Sequence, residues 1–183
     1  SAVLVTCGAQ GIKSLNLPGE SLAGVYHAKD LVYHYNKLPP YAQREFKFGK
    51  KVAIVGAGNV MADICHYLTK YTLVDEITAV IRRGPGEVKF DRKELLSFIS
   101  YLDLPAFDQE INRVTPEMEK VGQDVKAIKE NILIDLSKSC PKEREARIQF
   151  KFLASPKQMI ANNENKVSTL EYEENNLFIN DGE

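Results

Sequence analysis

The stretch from Lys51 to Leu68, KVAIVGAGNVMADICHYL, decides the fold of this chain. Residues Val52–Val55 are apolar and partly β-branched, which is typical of a strand buried on both faces of a parallel sheet. Gly56-Ala57-Gly58 interrupts that run. A helical pattern follows, with its apolar stripe at Val60, Ile64, Cys65 and Leu68. The order strand, glycine turn and helix is the one that a dinucleotide-binding motif requires.

The glycines of this turn have specific physical uses in binding a dinucleotide. Gly56 permits a tight turn, and Gly58 lacks a Cβ atom, so that a pyrophosphate group can approach the backbone. The N-terminus of the following helix then offers free N–H groups and a partial positive charge to the phosphates. The third small position of the motif falls on Met61, with Ala62 one residue later. Either the helix lies further from the sheet, or it is rotated so that Ala62 faces inward.

The second predicted strand, Glu76–Ile81, ends at two arginines, Arg82 and Arg83. In a βαβ unit the tip of this strand lies beside the adenosine ribose, where an acidic residue binds the 2′-hydroxyl of NAD. Guanidinium groups at this position bind a 2′-phosphate through charge-assisted hydrogen bonds instead. The pair therefore predicts NADP(H) as the cofactor. The alternative is that both arginines are solvated surface charges.

The composition limits the possible classes of function. The 183 residues are 44% hydrophobic and 27% charged, with a net charge of −1, which implies no general attraction to nucleic acid or to anionic membranes. No apolar run approaches the ~20 residues of a membrane span. The three cysteines are widely spaced, which fits reduced thiols and predicts a cytoplasmic protein. The three histidines form no metal-binding pattern with them, so no metal site is predicted.

Patterns in the first half of the chain predict three further segments. Ala2–Thr6 is an apolar run typical of a strand. Ala28–Asn36 has apolar residues at helical spacing and is followed by Pro39-Pro40, which ends the helix. Arg83-Gly84-Pro85-Gly86 predicts a loop without helical structure.

The middle of the chain predicts two helices and a strand. Asp91 and Glu94 form a capping-box pattern at the start of the first helix, which Leu104-Pro105 ends. Ile111–Val114 is predicted to form a short strand. Thr115-Pro116 then resembles the start of the second helix, with Thr115 as N-cap and proline at the first helical position.

The C-terminal part predicts strands. Arg147–Leu153 alternates polar and apolar residues, as a half-buried strand does. Val167–Tyr172 and Leu177–Ile179 alternate on either side of Glu174-Asn175-Asn176, which is typical of a hairpin. Strands that alternate with helices, followed by antiparallel strands, predict an α/β fold: a Rossmann-like parallel sheet with helices on both faces and an antiparallel β-extension.

Four segments resemble, in order, the motifs of one enzyme family. They are TCGAQGIKSLNLPGE (Thr6–Glu20), AKDLVYHYNKLP (Ala28–Pro39), GAGNVMAD (Gly56–Asp63) and RRGPGEVKFDRKEL (Arg82–Leu95). The family comprises the FAD- and NADPH-dependent reductases typified by adrenodoxin reductase, the bacterial ferredoxin–NADP reductases of that type, and the small subunit of glutamate synthase. From about Leu104 onward the chain offers no motif of this family.

The resemblance implies a domain organisation and a set of cofactor-binding residues. In that family the NADPH domain is inserted within the FAD domain, so this chain is expected to be a single NADPH-binding domain excised from a larger flavoprotein. Residues 1–45 would form the linker and interface to the FAD domain, and residues 46–183 the Rossmann-type core. The residues that the resemblance places at the cofactor are Gly56, Ala57, Gly58 and Asn59 at the pyrophosphate, Arg82 and Arg83 at the 2′-phosphate, and Glu94 on the ribose or nicotinamide side. Val60 is also expected to contact the cofactor. A capping-box role accounts for Glu94 equally well.

The implied activity of the parent protein is electron transfer. Hydride would pass from NADPH to FAD, and electrons from FAD to a ferredoxin-like or other iron–sulfur acceptor, or to a glutamate-synthase-like partner. The two cofactors carry this chemistry, so no catalytic residue is predicted and the chain alone is expected to bind nucleotide without turnover. The alternative is a non-enzymatic module that senses NADP(H), which leaves the first of the four segments unexplained. A short-chain dehydrogenase is disfavoured, because the Tyr-x-x-x-Lys pair at Tyr33 and Lys37 lies upstream of the glycine turn.

Overall fold

The computed structural model describes residues 14–88, 91–134 and 136–178. A parallel sheet is formed by β1 (Lys51–Val55), β2 (Glu76–Val80) and β3 (Arg147–Lys151), which lie side by side in that order. The first residue of each strand pairs with the first residue of its neighbour, and the last residue with the last. The three strands therefore start level at one edge of the sheet and finish level at the other, and the predictions of these strands are confirmed.

Helices connect and flank the sheet. The crossover between β1 and β2 is α2 (Asn59–Tyr71), as the strand–turn–helix pattern predicts. The helix predicted over Ala28–Asn36 is confirmed as α1 (Ala28–Tyr35), which packs against α2. Between β2 and β3 lie α3 (Arg92–Leu96), α4 (Leu104–Lys120) and α5 (Val125–Leu133), with 3-10 turns at Pro85–Glu87, Ile99–Tyr101 and Leu136–Lys138. Within the described part of the chain, no helix is both long and apolar enough to cross a membrane.

The antiparallel extension is a separate two-stranded sheet of β4 (Ala154–Ala161) and β5 (Val167–Glu174). The α/β fold class, a parallel sheet flanked by helices with an antiparallel extension, is thereby confirmed. The predicted hairpin at residues 174–176 is wrong, because the chain turns earlier. There the Asn162 side chain accepts hydrogen bonds from the backbone N–H groups of Glu164 and Lys166, both at 3.0 Å. Ile179 and the predicted strand Ala2–Thr6 lie outside the described residues.

The hydrophobic core lies against one face of the parallel sheet. Ile77, Ala79, Ile148 and Phe150 are buried on that face, and Phe107 of α4 packs on Phe150 with ring centroids 6.1 Å apart. Strand β1 is less buried than predicted, since Lys51, Ala53 and Val55 are exposed. The expectation that it is buried on both faces is wrong, because β1 is the outer strand of the described sheet and only its alternate residues face the core.

Helix α4 replaces several predicted elements. Leu104-Pro105 begins this helix instead of ending the previous one, because proline needs no N–H partner in a first turn and Asp103 caps it by accepting from the Ala106 amide at 3.1 Å. The predicted strand Ile111–Val114 and the predicted helix start at Thr115-Pro116 both fall inside α4. The apolar residues of this segment follow a helical period and are buried together: Phe107, Ile111, Val114 and Met118.

Candidate functional site

The glycine turn lies at the carboxyl edge of the sheet, between β1 and α2. Gly56 has φ +124°, a conformation that residues with a Cβ rarely adopt, and its N–H donates to the Val80 carbonyl at 3.0 Å. Gly58 has an extended backbone (φ −110°, ψ −179°) and caps α2. A Cβ added to Gly58 would meet no protein atom within 4 Å. Gly56 is thus required by the backbone, whereas Gly58 keeps open the space in front of the turn.

The N-terminus of α2 faces an open cavity of about 310 Å³. The first turn of a helix leaves N–H groups without intrahelical partners and carries a partial positive charge, and the first turn of α2 contains no acidic residue that would offset it. The lining residues include Ala28, Ile54, Gly56, Ala57, Gly58, Asn59, Val60 and Met61. Five adjacent residues of the predicted site, Gly56–Val60, therefore line one concave surface suited to an anionic group.

Two features of this cavity differ from the sequence interpretation. Val60 was expected in the buried stripe of α2 but is 48% exposed, while Met61 and Ala62 are both buried. The helix is therefore rotated so that Ala62 faces inward, and Val60 faces the cavity. Ala28, at the start of α1, also lines the cavity, so a residue assigned to the linker segment forms part of the site; no local signal in the sequence indicates it.

Arg82 and Arg83 follow the tip of β2, beside the glycine turn. The Gly56 N–H is hydrogen-bonded to the carbonyl of Val80, which lies two residues before Arg82. Neither arginine lines the 310 Å³ cavity itself. Both side chains are exposed, and among the described residues neither has a hydrogen-bond or ion-pair partner. Their backbone is fixed: the Asn175 side chain donates to the Arg82 carbonyl at 2.9 Å, and the Leu153 amide to that of Arg83 at 3.1 Å. The two guanidinium groups therefore have no partner among the described residues, whereas hydrogen bonds hold the backbone that carries them.

The segment after the arginines packs tightly against α4 and α5. A Cβ on Gly84 would lie 2.3 Å from the Met118 sulfur, and one on Gly86 would lie 2.8 Å from Ile128 Cδ1. The prediction that this segment has no helical structure is wrong, since Pro85–Glu87 forms a 3-10 turn with proline at its start. The Glu87 carboxylate accepts from the Gly84 amide at 3.2 Å and closes that turn. The glycines therefore allow close packing that holds the arginine-bearing segment in place.

An ion-pair network around the buried Glu110 supports the backbone on which Arg83 is held. Glu110 of α4 accepts hydrogen bonds from Arg113 at 2.7 and 2.9 Å, from Lys151 at 3.2 Å and from the Phe152 amide at 2.7 Å. Burial alone raises the pKa of Glu110, but the hydrogen bonds from Arg113 and Phe152 outweigh it and leave the pKa below its ordinary value. Phe152 directly precedes Leu153, so this network fixes the segment that holds Arg83.

Glu94 lies on α3 and is half-buried. Asp91 is the N-cap of α3, as predicted, but its side chain makes no capping hydrogen bond. Its backbone N–H, which a capping box would direct to Glu94, donates to the Asn59 side chain at 2.8 Å instead. The capping role of Glu94 is therefore not realised, and a role in contacting the cofactor stays a prediction.

Comparison with known proteins identifies relatives over most of the chain. No family model matches it. The chain is 30% identical over 180 residues to the NADPH-ferredoxin reductase FprA of Mycobacterium tuberculosis, which covers 85% of this chain and 39% of that protein. It is 26% identical over 194 residues to the mitochondrial NADPH:adrenodoxin oxidoreductase of Arabidopsis thaliana, covering 90% of this chain and 40% of that protein.

The fold is similar to that of solved relatives. A variant of FprA from M. tuberculosis superposes with a TM-score of 0.69 at 26% identity, over 96% of this chain and 43% of the FprA chain. FprA in complex with NADPH superposes with a TM-score of 0.61 at 22% identity, over 93% and 47% of the two chains, which supports the fold alone. The chain spans about 40% of the length of the curated relatives that it matches. Over most of its length, this chain is therefore homologous to one part of the adrenodoxin reductases and FprA-type NADPH-ferredoxin reductases.

Proposed function

We propose that this chain is the NADPH-binding part of a flavin-dependent oxidoreductase. The observation that carries the proposal is the arrangement at the carboxyl edge of the sheet, in a chain homologous to NADPH-dependent reductases. There the open cavity at Gly56–Val60 adjoins a strand tip with two exposed arginines. Ligands of open α/β sheets bind at this edge, and the cavity offers an anion the positive end of α2.

The residues present fit NADPH. Gly58 leaves open the space that a pyrophosphate needs, and Ala57, Asn59 and Val60 lie on the same surface. Arg82 and Arg83 would hold the 2′-phosphate, and Glu94 would contact the ribose or nicotinamide side. When bound, NADPH supplies a hydride; the residues of this chain fix its position, and no group here is required to move a proton.

The remainder of the proposed parent protein would hold FAD. The parent would pass hydride from NADPH to FAD, and electrons onward to a ferredoxin-like or other iron–sulfur acceptor or to a glutamate-synthase-like partner. A cytoplasmic location and the division into a linker (residues 1–45) and a core (residues 46–183) are parts of the same proposal. No feature of the described residues favours the sensing module over this function.

The test is a calorimetric titration of the chain with NADPH and with NADH at low salt. We expect a clear preference for NADPH. Arg83→Ala should weaken NADPH binding about ten- to a hundredfold, because it removes a charge-assisted bond worth about 1.5–3 kcal/mol, and should leave NADH binding nearly unchanged. Arg147→Ala is the control for the loss of one arginine, since this arginine is exposed and pairs with Glu76 at the opposite edge of the sheet.

Two results would refute the proposal. If the wild-type chain binds neither nucleotide, the cavity is not a cofactor site in this chain. If Arg83→Ala weakens NADPH and NADH equally, the arginine does not recognise the 2′-phosphate.

A further inference from the structure

Two polar side chains join segments that are 32 residues apart in sequence. The Asn59 amide nitrogen donates to the Asp91 carboxylate at 3.0 Å, and the Asp91 backbone N–H donates to the Asn59 amide oxygen at 2.8 Å. Asn59 is the first residue of α2, and Asp91 is the N-cap of α3. This reciprocal pair, which we call the latch, ties the glycine turn to the helix that carries Glu94.

The latch takes the place of the local capping bonds of α3. Asp91 makes no side-chain bond to its own helix, although aspartate is among the best N-cap residues. A helix of five residues is marginal by itself, so its position depends on contacts from outside. Besides packing on α2, the latch is a polar contact that holds the start of α3.

The latch also brings a carboxylate to the positive end of α2. Asp91 is exposed and lies one hydrogen bond from Asn59, which lines the 310 Å³ cavity. No acidic residue belongs to the first turn of α2 itself. An anionic ligand at the glycine turn would therefore meet the charge of Asp91 at short range, whereas the hydrogen bonds of the latch hold the binding surface together.

We infer that Asn59 and Asp91 are positioning residues of the nucleotide site with two opposed effects. The hydrogen bonds preorganise α3 beside the glycine turn and favour binding, while the carboxylate charge lowers the affinity for a polyanionic nucleotide. The inference rests on the proposed function, since it concerns the same cavity. It assigns to the Asn59 side chain a role in holding α3 and leaves contact with phosphate to the backbone N–H groups.

Three measurements on the chain test the inference. Asn59→Ala removes both hydrogen bonds and should weaken NADPH binding about three- to tenfold. Asp91→Asn keeps an acceptor for Asn59 but removes the charge, and should tighten NADPH binding about three- to tenfold at low salt, with the gain largely lost at ~1 M salt. Hydrogen exchange without ligand should be faster at the amides of Asp91 and α3 in Asn59→Ala than in the wild type.

Matched controls are available elsewhere in the chain. Asn36→Ala removes an exposed asparagine that donates to the Val32 carbonyl at the far end of α1. Asp103→Asn makes the same charge change at the N-cap of α4, at the opposite edge of the sheet. Neither control should change NADPH affinity or its salt dependence.

The outcomes separate this inference from the proposed function. If the wild-type chain does not bind NADPH, the proposed function fails, and unchanged exchange at Asp91 and α3 in Asn59→Ala would overturn the latch as well. If the wild-type chain binds NADPH but Asn59→Ala and Asp91→Asn bind it as the wild type does, the latch has no role in the site and the inference is overturned. Weakening by Asp91→Asn at low salt would also contradict the electrostatic part.

Discussion

Gly58→Val tests the role of the glycine turn in nucleotide binding with little change in the stability of the fold. A Cβ at this position meets no protein atom within 4 Å, and the extended backbone at φ −110° and ψ −179° suits a β-branched residue. The added Cβ therefore causes no clash, and the backbone conformation is one that valine adopts without strain. We expect the free energy of unfolding to change by no more than ~1 kcal/mol, which is the usual size of an N-cap effect.

The same side chain should block the cavity. It would occupy the space between the turn and a bound pyrophosphate and would separate the phosphates from the N–H groups of α2. Each lost charge-assisted hydrogen bond costs about 1.5–3 kcal/mol. Loss of two such bonds corresponds to about 10²- to 10⁴-fold weaker binding. NADPH and NADH should be affected equally, because both carry the pyrophosphate, in contrast with Arg83→Ala.

The assay compares calorimetric titrations of the wild type, Gly58→Val and Gly49→Val with both nucleotides, after urea unfolding has shown that each variant is folded. Gly49 is a matched control. It is exposed, its added Cβ would have only an ordinary 3.8 Å contact with the Lys51 carbonyl, and it precedes the opposite end of β1. A folded Gly58→Val chain that binds NADPH with wild-type affinity would refute the assignment of the pyrophosphate to this turn.

Two further predictions concern the support of the arginine-bearing segment. Glu110→Gln should lower the free energy of unfolding by about 1.5–3 kcal/mol at pH 7, because it removes the buried carboxylate that Arg113 and Lys151 share, although both remain paired with the exposed Glu174. The folded-state pKa of Glu110 is below its ordinary value of 4.5, so its stabilisation is present above that pH and is lost as the pH falls through the lowered pKa. Urea unfolding at pH 7 and pH 3.5 should show the deficit shrinking, and an equal deficit at both would contradict the lowered pKa. Gly84→Ala should lower the free energy of unfolding by about 1–3 kcal/mol, because the added methyl group overpacks against Met118. In a double-mutant cycle with Met118→Ala, the double variant should lose less stability than the sum of the two single variants. Strict additivity would show that the two residues do not clash.

Local chemistry was sufficient to predict the central unit of this protein. Strand β1, the glycine turn, α2, β2 and the arginines at its tip follow from an apolar, partly β-branched run, a glycine-rich break after it, and an apolar stripe at helical period. Each of these three patterns can be read from a short stretch of consecutive residues, without knowledge of the tertiary structure. The adjacency of the turn and the strand tip follows because parallel neighbouring strands end at the same edge of a sheet.

Local chemistry was ambiguous between residues 104 and 120. Leu104-Pro105 and Thr115-Pro116 carry similar signals, yet the first pair begins α4 and the second lies inside it. Proline suits a first helical turn and usually breaks an interior one. A single helix through Pro116 buries Phe107 and Met118 on one continuous face. The free energy gained by burying that face exceeds the local cost of one proline inside the helix.

The sequence by itself determined that this chain has a dinucleotide-type turn with cationic residues at the next strand tip. Only the tertiary structure decided how that site is built. It placed Ala28 in the cavity, Asn175 on the Arg82 carbonyl and Asn59 on Asp91 instead of a capping box at Glu94. The physical reason is that a polar side chain takes whichever partner the packed backbone brings within about 3 Å, and that partner can lie many residues away along the chain.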